Sequence, residues 1–89
     1  MTTLFVRHTV ADYAAWRKFY GAFAPVQKTK GVTAQAVYQS VDNPNDVTIT
    51  HDFATTEAAH AFVKSEDLKS AMQKAGVVGA PTVWFAKKS

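Results

Sequence analysis

A chain of 89 residues with no cysteine has room for one domain, residues 1–89, and excludes disulfides, thiolate metal sites and cysteine nucleophiles. Its 47% apolar and 12% aromatic content predicts an ordinary globular core, small enough that an oligomer interface is expected to complete it. The net charge of +3 is mild: Arg17 and Lys18 on a helix surface, Lys28 and Lys30 at a helix end, and Lys87 and Lys88 in the tail read as solubility features rather than a nucleic-acid footprint.

The start, Met1-Thr2-Thr3-Leu4, shows no charged segment followed by an apolar run, and no apolar stretch reaches membrane-spanning length. With the missing cysteines, this predicts a cytoplasmic protein that makes no membrane contact.

Thr3 to Val10 reads as a first strand, with Leu4, Val6, His8 and Val10 on one face and Phe5, Arg7 and Thr9 on the other. Asp12 is a natural N-cap for the helix that follows. Tyr13, Trp16, Tyr20 and Phe23, with Phe19 beside them, recur at three- and four-residue spacing and form one aromatic stripe. Pro25 predicts a bend, since it cannot donate to the carbonyl of Gly21, and Gly31 supplies a left-handed stop. A second strand runs from Val32 to Val41. The turn sequence Asp42-Asn43-Pro44-Asn45-Asp46 then reverses the chain.

The third strand alternates: Val47, Ile49, His51 and Phe53 face one way, Thr48, Thr50 and Asp52 the other. Thr55 or Thr56 caps a helix carrying Ala59, Phe62 and Val63 inward. Ser65-Glu66-Asp67 looks like a second helix start, so an elbow is expected there before Leu68, Ala71, Met72 and Ala75 form a further apolar stripe ending at Gly76. Gly79-Ala80-Pro81 leads to a last strand, Thr82 to Ala86, which the proline assigns to an edge.

The order β-α-β-β-α-β is a split β-α-β arrangement, and right-handed crossovers put the first and third strands at the centre of an antiparallel sheet. Two helical layers cover only one face of it, the one bearing Leu4, Val6, Val47, Ile49 and Phe53. The other face collects Phe5, Arg7, Thr9, Thr48, Thr50 and Asp52, with Val37 or Trp84 from the outer strands according to register. So mixed a face predicts a homodimer through the sheet, with Arg7 and Asp52 available to pair within or across chains.

Six segments carry a family resemblance: Val6-Arg7-His8-Thr9-Val10, Asp12-Tyr13-Ala14-Ala15-Trp16, Asp42-Asn43-Pro44-Asn45, His51-Asp52-Phe53, the helix from Glu66-Asp67-Leu68 to Met72, and Ala75-Gly76-Val77-Val78-Gly79-Ala80-Pro81. Together they resemble the dimeric α/β-barrel, ferredoxin-like superfamily near its antibiotic biosynthesis monooxygenase branch. The resemblance spans almost the whole chain as a pattern of elements rather than a catalytic signature. It implies two four-stranded sheets packed face to face, helices outside, and a cavity between sheet and helices in each subunit. Its members include cofactor-independent monooxygenases of polycyclic phenols, isomerases, cyclases and haem-degrading enzymes, alongside proteins of no assigned activity. A fold shared so widely points to architecture more than to function.

His8 and His51 interrupt otherwise apolar strand faces, so each is a candidate general base, or equally a hydrogen-bonded core histidine. Their strands are adjacent and antiparallel, which sets the two toward opposite ends of the sheet. Trp16 and Tyr20, one helical turn apart, are candidate walls for a flat hydrophobic ligand, with Phe53 and His60 as further candidates at its edge; aromatic stripes at this spacing are also ordinary core. Three readings stay open: a cofactor-independent monooxygenase or isomerase acting on an aromatic or polyketide-like substrate, a non-catalytic dimeric small-molecule-binding or accessory domain, and a haem-binding protein that would draw on His60. Arg7 and His8 where the haem-degrading subfamily has asparagine, and Phe53 where it has tryptophan, count against the last. No HxH or HxxxH spacing predicts a metal site, no motif calls for a cofactor, and a nucleic-acid platform is excluded by Thr48, Thr50 and Asp52 standing where stacking aromatics would be needed.

Overall fold

The computed structural model describes residues 1–87; Lys88 of the basic tail, Ser89 and the side chain of Asp67 lie outside the described set. The elements follow as β1 (Thr2–Val10), α1 (Tyr13–Thr29), β2 (Val32–Gln39), β3 (Asp46–Phe53), α2 (Thr56–Lys64), α3 (Glu66–Lys74) and β4 (Val77–Ala86). The strands form one four-stranded antiparallel sheet in the order β2-β3-β1-β4, so β1 and β3 are central as the crossover argument requires. This is the ferredoxin-like α+β fold.

Each helix starts where a short polar side chain can bond its free backbone amides. Asp12 accepts from the amide of Ala14 at 3.0 Å, Thr55 from that of Ala58 at 3.2 Å, and Ser65 from that of Leu68 at 3.2 Å. Ser65 is also the C-cap of α2, and this is the expected elbow. The helix α1 does not stop at Pro25 but continues to Thr29. Gly21, whose carbonyl loses its donor there, is solvent-exposed, so water can replace the lost bond. Gly31, at φ +101°, provides the left-handed turn into β2.

Two boundaries differ from the sequence expectation by more than one residue. β2 ends at Gln39, and Val41 is fully exposed. β4 begins at Val77 rather than Thr82: it pairs Val78 with Thr9 and Thr82 with Arg7, which leaves extra residues in a bulge at Gly79-Ala80-Pro81. Gly79 takes the positive φ of +74° that the bulge needs, and Pro81 is tolerated because β4 is an edge strand.

The helix-facing side of the sheet is the core. Leu4, Val6 and Phe53 pack with Ala59, Phe62 and Leu68 from α2 and α3. Val10, Val47 and Ile49 pack with Trp16 and Tyr20 from α1. Across the sheet, Phe5 and Trp84 stack in parallel, with centroids 5.2 Å apart. Arg7 does not reach Asp52; it forms a forked pair with Asp46, its Nη2 2.7 Å from Oδ2, while Asp52 accepts from the Thr3 hydroxyl at 2.6 Å. Register explains the change. Thr3 is directly opposite Asp52, and Arg7 sits beside the β3 end where Asp46 begins the strand. No helix among the described residues is long and apolar enough to cross a membrane.

Candidate functional site

Between the two core patches lies a cavity of about 40 Å³. Its floor is the sheet (Val6, His8, Ile49, His51), one wall is α1 and the other α3. Side chains from both patches reach it without closing it, so it is a seam between two packed units.

The floor histidines are both buried, His8 at 5% and His51 at 2% exposure. In the register Leu4 faces His51 and Val47 faces His8, so four strand positions, about 13 Å, separate them along β1. α1 spans that gap. The Trp16 indole meets His8 edge-on at 5.7 Å, stacks on Tyr20 at 4.9 Å, and Tyr20 reaches His51, whose ring lies 6.1 Å from its own. The i, i+4 spacing of Trp16 and Tyr20 stacks the two rings, with a histidine at each end.

The Tyr20 hydroxyl lies 3.1 Å from Nε2 of His51 and donates to Oε1 of Gln35, the β2 residue opposite His51. Four buried polar atoms find no partner among the described residues: both ring nitrogens of His8, Nδ1 of His51, and Oε1 of Gln27. All three residues line the cavity. Buried polar groups are almost always paired in proteins, so unpaired donors and acceptors around one cavity are groups available to a bound molecule.

Burial sets the protonation states. It lowers the pKa of His8 below the usual histidine value and takes His51 down to about 4, against a small opposing pull from Asp52. It pushes the Tyr20 hydroxyl up to about 12, opposed by the Gln27 side chain and by the charge of Arg17, whose guanidinium lies over the Tyr20 ring. At neutral pH the cavity therefore holds two neutral imidazoles and a neutral phenol.

Of the residues singled out from sequence, His8, His51, Trp16 and Tyr20 converge on this cavity. Phe53 is fully buried against Phe62 and lies outside the cavity lining. His60 is exposed on α2 and packs its ring on Phe85 at 4.4 Å, also away from the cavity. Gln27 and Gln35 were not anticipated. Gln27 continues the spacing Tyr13, Trp16, Tyr20, Phe23 by one more step, a polar residue on an aromatic stripe, and that signal was present in the sequence. Gln35 required the β2–β3 register. Among the described residues no three His, Asp or Glu side chains gather as metal ligands.

No family model and no curated protein matches the sequence. Solved structures do match in fold. A candidate antibiotic biosynthesis monooxygenase from Bordetella bronchiseptica superposes with a TM-score of 0.85 at 17% identity, over 99% of this chain and 96% of that one. SnoaB, a cofactor-independent oxygenase from Streptomyces nogalater, gives 0.75 at 13% identity, over 99% and 94%. A protein of unknown function from Nitrosomonas europaea gives 0.75 at 19%, over 96% and 85%. The chain has the ferredoxin-like fold of antibiotic biosynthesis monooxygenase-like proteins.

Proposed function

We propose that the protein is a cytoplasmic homodimer that takes a flat, oxygen-bearing aromatic molecule of polyketide type into the helix–sheet cavity and oxygenates it without a cofactor. The observation that carries this reading is the pair of buried histidines with unpaired ring nitrogens, one at each end of the Trp16–Tyr20 stack. The aromatic faces hold a planar ring, and His8 or His51 receives a proton from an acidic carbon or phenol. A neutral imidazole of low pKa is a weak base in the empty cavity. It strengthens when the anion it creates lies beside it, because the charge pair then offsets the burial that had lowered the pKa. Overall, a ring methylene and one molecule of dioxygen give a ring carbonyl and one molecule of water. Both carbon–hydrogen bonds of the methylene and the oxygen–oxygen bond break. The carbon is oxidised, and dioxygen is reduced, one atom becoming the carbonyl oxygen and the other leaving as water with the two hydrogens. The fold of SnoaB supports this class of activity.

A second reading is a non-catalytic binding domain. Phe19, Phe23 and Met72 narrow the cavity to about 40 Å³, well below the roughly 300–1,000 Å³ of most ligand sites. These three half-buried side chains have to move to admit a ring. The dimer reading rests on the open face, where Trp84, stacked on Phe5, is 40% exposed and Tyr38, on the opposite edge strand, 59% exposed.

The test is titration with hydroxylated quinones and polycyclic phenols, following Trp16 fluorescence in a Trp84→Phe background, together with oxygen uptake. Binding with uptake that His51→Ala and His8→Ala reduce supports the oxygenase. Binding with no uptake leaves the binding domain, and no binding by any of these compounds removes both.

A further inference from the structure

Beside the cavity, on the far side of α3, runs a larger apolar groove of about 400 Å³ between α3 and β4. Leu68 and Met72 line both spaces, so these two side chains of α3 stand where the two meet. We infer that groove and cavity are two compartments of one site, and that its ligand is a flat oxygenated ring carrying an aliphatic chain, the ring among His8, Trp16, Tyr20 and His51 and the chain along α3. The inference rests on the proposed cavity function and names its substrate class.

Three observations favour it. The groove walls are mainly apolar, with Val63, Leu68 and Met72 from the helices and Val77, Pro81 and Val83 from β4, which suits methylenes; Lys69 and Gln73 of α3 are the polar side chains in the lining. The cavity has the unpaired polar atoms but little volume, and the groove has the volume but a mainly apolar lining, so each supplies what the other lacks. The wall where they meet is also the most movable kind. Met72 is unbranched, half-buried and placed on a helix of nine residues that hangs between the Ser65 elbow and Gly76, at φ +82°. A rotamer change at Met72 widens the passage beside Leu68 and needs no movement of the sheet. The β4 bulge contributes as well: Gly79 lines the groove with no side chain to fill it.

The experiment compares 2-hydroxy-1,4-naphthoquinone with its 3-hexyl derivative by quenching of Trp16 in the Trp84→Phe protein. Burying a chain of this length is expected to tighten binding at least about tenfold. Val83→Phe, which narrows the groove at a partly buried edge position, should remove most of that gain while leaving the affinity for the unsubstituted quinone unchanged. If the parent quinone binds and the hexyl chain adds less than about threefold, the groove is not part of the site, and the proposed function stands without it. If the chain tightens binding equally in Val83→Phe, it lies elsewhere and the inference falls. If neither quinone binds, both this inference and the function beneath it fall.

Discussion

The Tyr20 hydroxyl sits 3.1 Å from Nε2 of His51, and its proton is committed elsewhere, to Oε1 of Gln35. A phenol has one hydrogen, and an amide oxygen can only accept. The contact to His51 must therefore run from Nε2–H to the tyrosine oxygen, which fixes the imidazole as the Nε2–H tautomer and leaves Nδ1 bare. This bare nitrogen is the His51 ring atom with no partner, and it is the basic atom of that imidazole. Ring ¹⁵N shifts at neutral pH should show a protonated Nε2 and an unprotonated Nδ1 for His51. Tyr20→Phe removes the acceptor, should cost about 1–3 kcal/mol in urea unfolding, and should mix the two tautomers.

The pH dependence of stability follows from the same ring. His51 titrates at about 4 in the fold against an ordinary 6.5. Between those values the unfolded chain binds a proton that the folded chain does not. Stability is thus complete above about pH 6.5 and declines as pH falls through the window, by up to about 3 kcal/mol at its lower end. His8, also lowered by burial, acts in the same direction. Asp46, which Arg7 holds below the usual carboxylate value, loses its contribution only at still lower pH. Urea unfolding at a series of pH values should show a slope between pH 4 and 6.5 that shrinks in His51→Gln; an unchanged slope would mean that the folded protein takes up the proton at His51 freely.

How much of this was legible depends on the kind of contact. The alternation of Leu4, Val6, His8 and Val10, and of Val47, Ile49, His51 and Phe53, assigns both histidines to the covered face because strand period alone decides it. The stripe Tyr13, Trp16, Tyr20 gives one helix face in the same way. What periodicity cannot supply is register. The contact of Tyr20 with His51 and Gln35 joins α1, β3 and β2, and the choice of Asp46 over Asp52 by Arg7 depends on which residues lie opposite. The start of β4 was hidden because Gly79 and Pro81 punctuate a sequence like a loop, although an edge strand accommodates both as a bulge.

The open face provides a test of the dimer. Trp84 stacks on Phe5 within the chain yet keeps 40% of its surface exposed. Within the protomer the stack is worth about 0.5–1.5 kcal/mol, so Trp84→Glu should leave the fold intact by circular dichroism. A buried tryptophan anchor at an interface commonly accounts for about 2 kcal/mol or more. Sedimentation velocity should therefore show a dimer for the wild type and mostly monomer for Trp84→Glu at micromolar concentration. A wild-type protein that stays monomeric at every concentration would end the homodimer reading.

Phe62 joins the core to the site. It is 1% exposed, with its ring 5.2 Å from His51 and 5.4 Å from Phe53. Phe62→Ala removes the packing that holds the His51 ring from the α2 side and leaves a void the rigid sheet cannot close. The expected cost is about 3–5 kcal/mol. Thermal unfolding should show a large fall in Tm, and the His51 pKa should move back toward its ordinary value as water enters the space.

Ser65 controls how firmly α3 closes the site. Its hydroxyl donates to the carbonyl of Phe62 at 2.9 Å and accepts from the amide of Leu68 at 3.2 Å, so one side chain ends α2 and begins α3. Ser65→Ala removes both bonds and should cost about 1 kcal/mol overall. Leu68 is the one described residue of α3 that is buried, so little packing compensates the loss locally. Amide exchange should accordingly quicken in α3 by more than the global loss accounts for, while β1 and β3 slow-exchanging amides change only with total stability. Since Leu68 and Met72 on this helix form the cavity wall, the same substitution should also speed ligand association; equal acceleration across all elements would mean that α3 opens only when the whole domain unfolds.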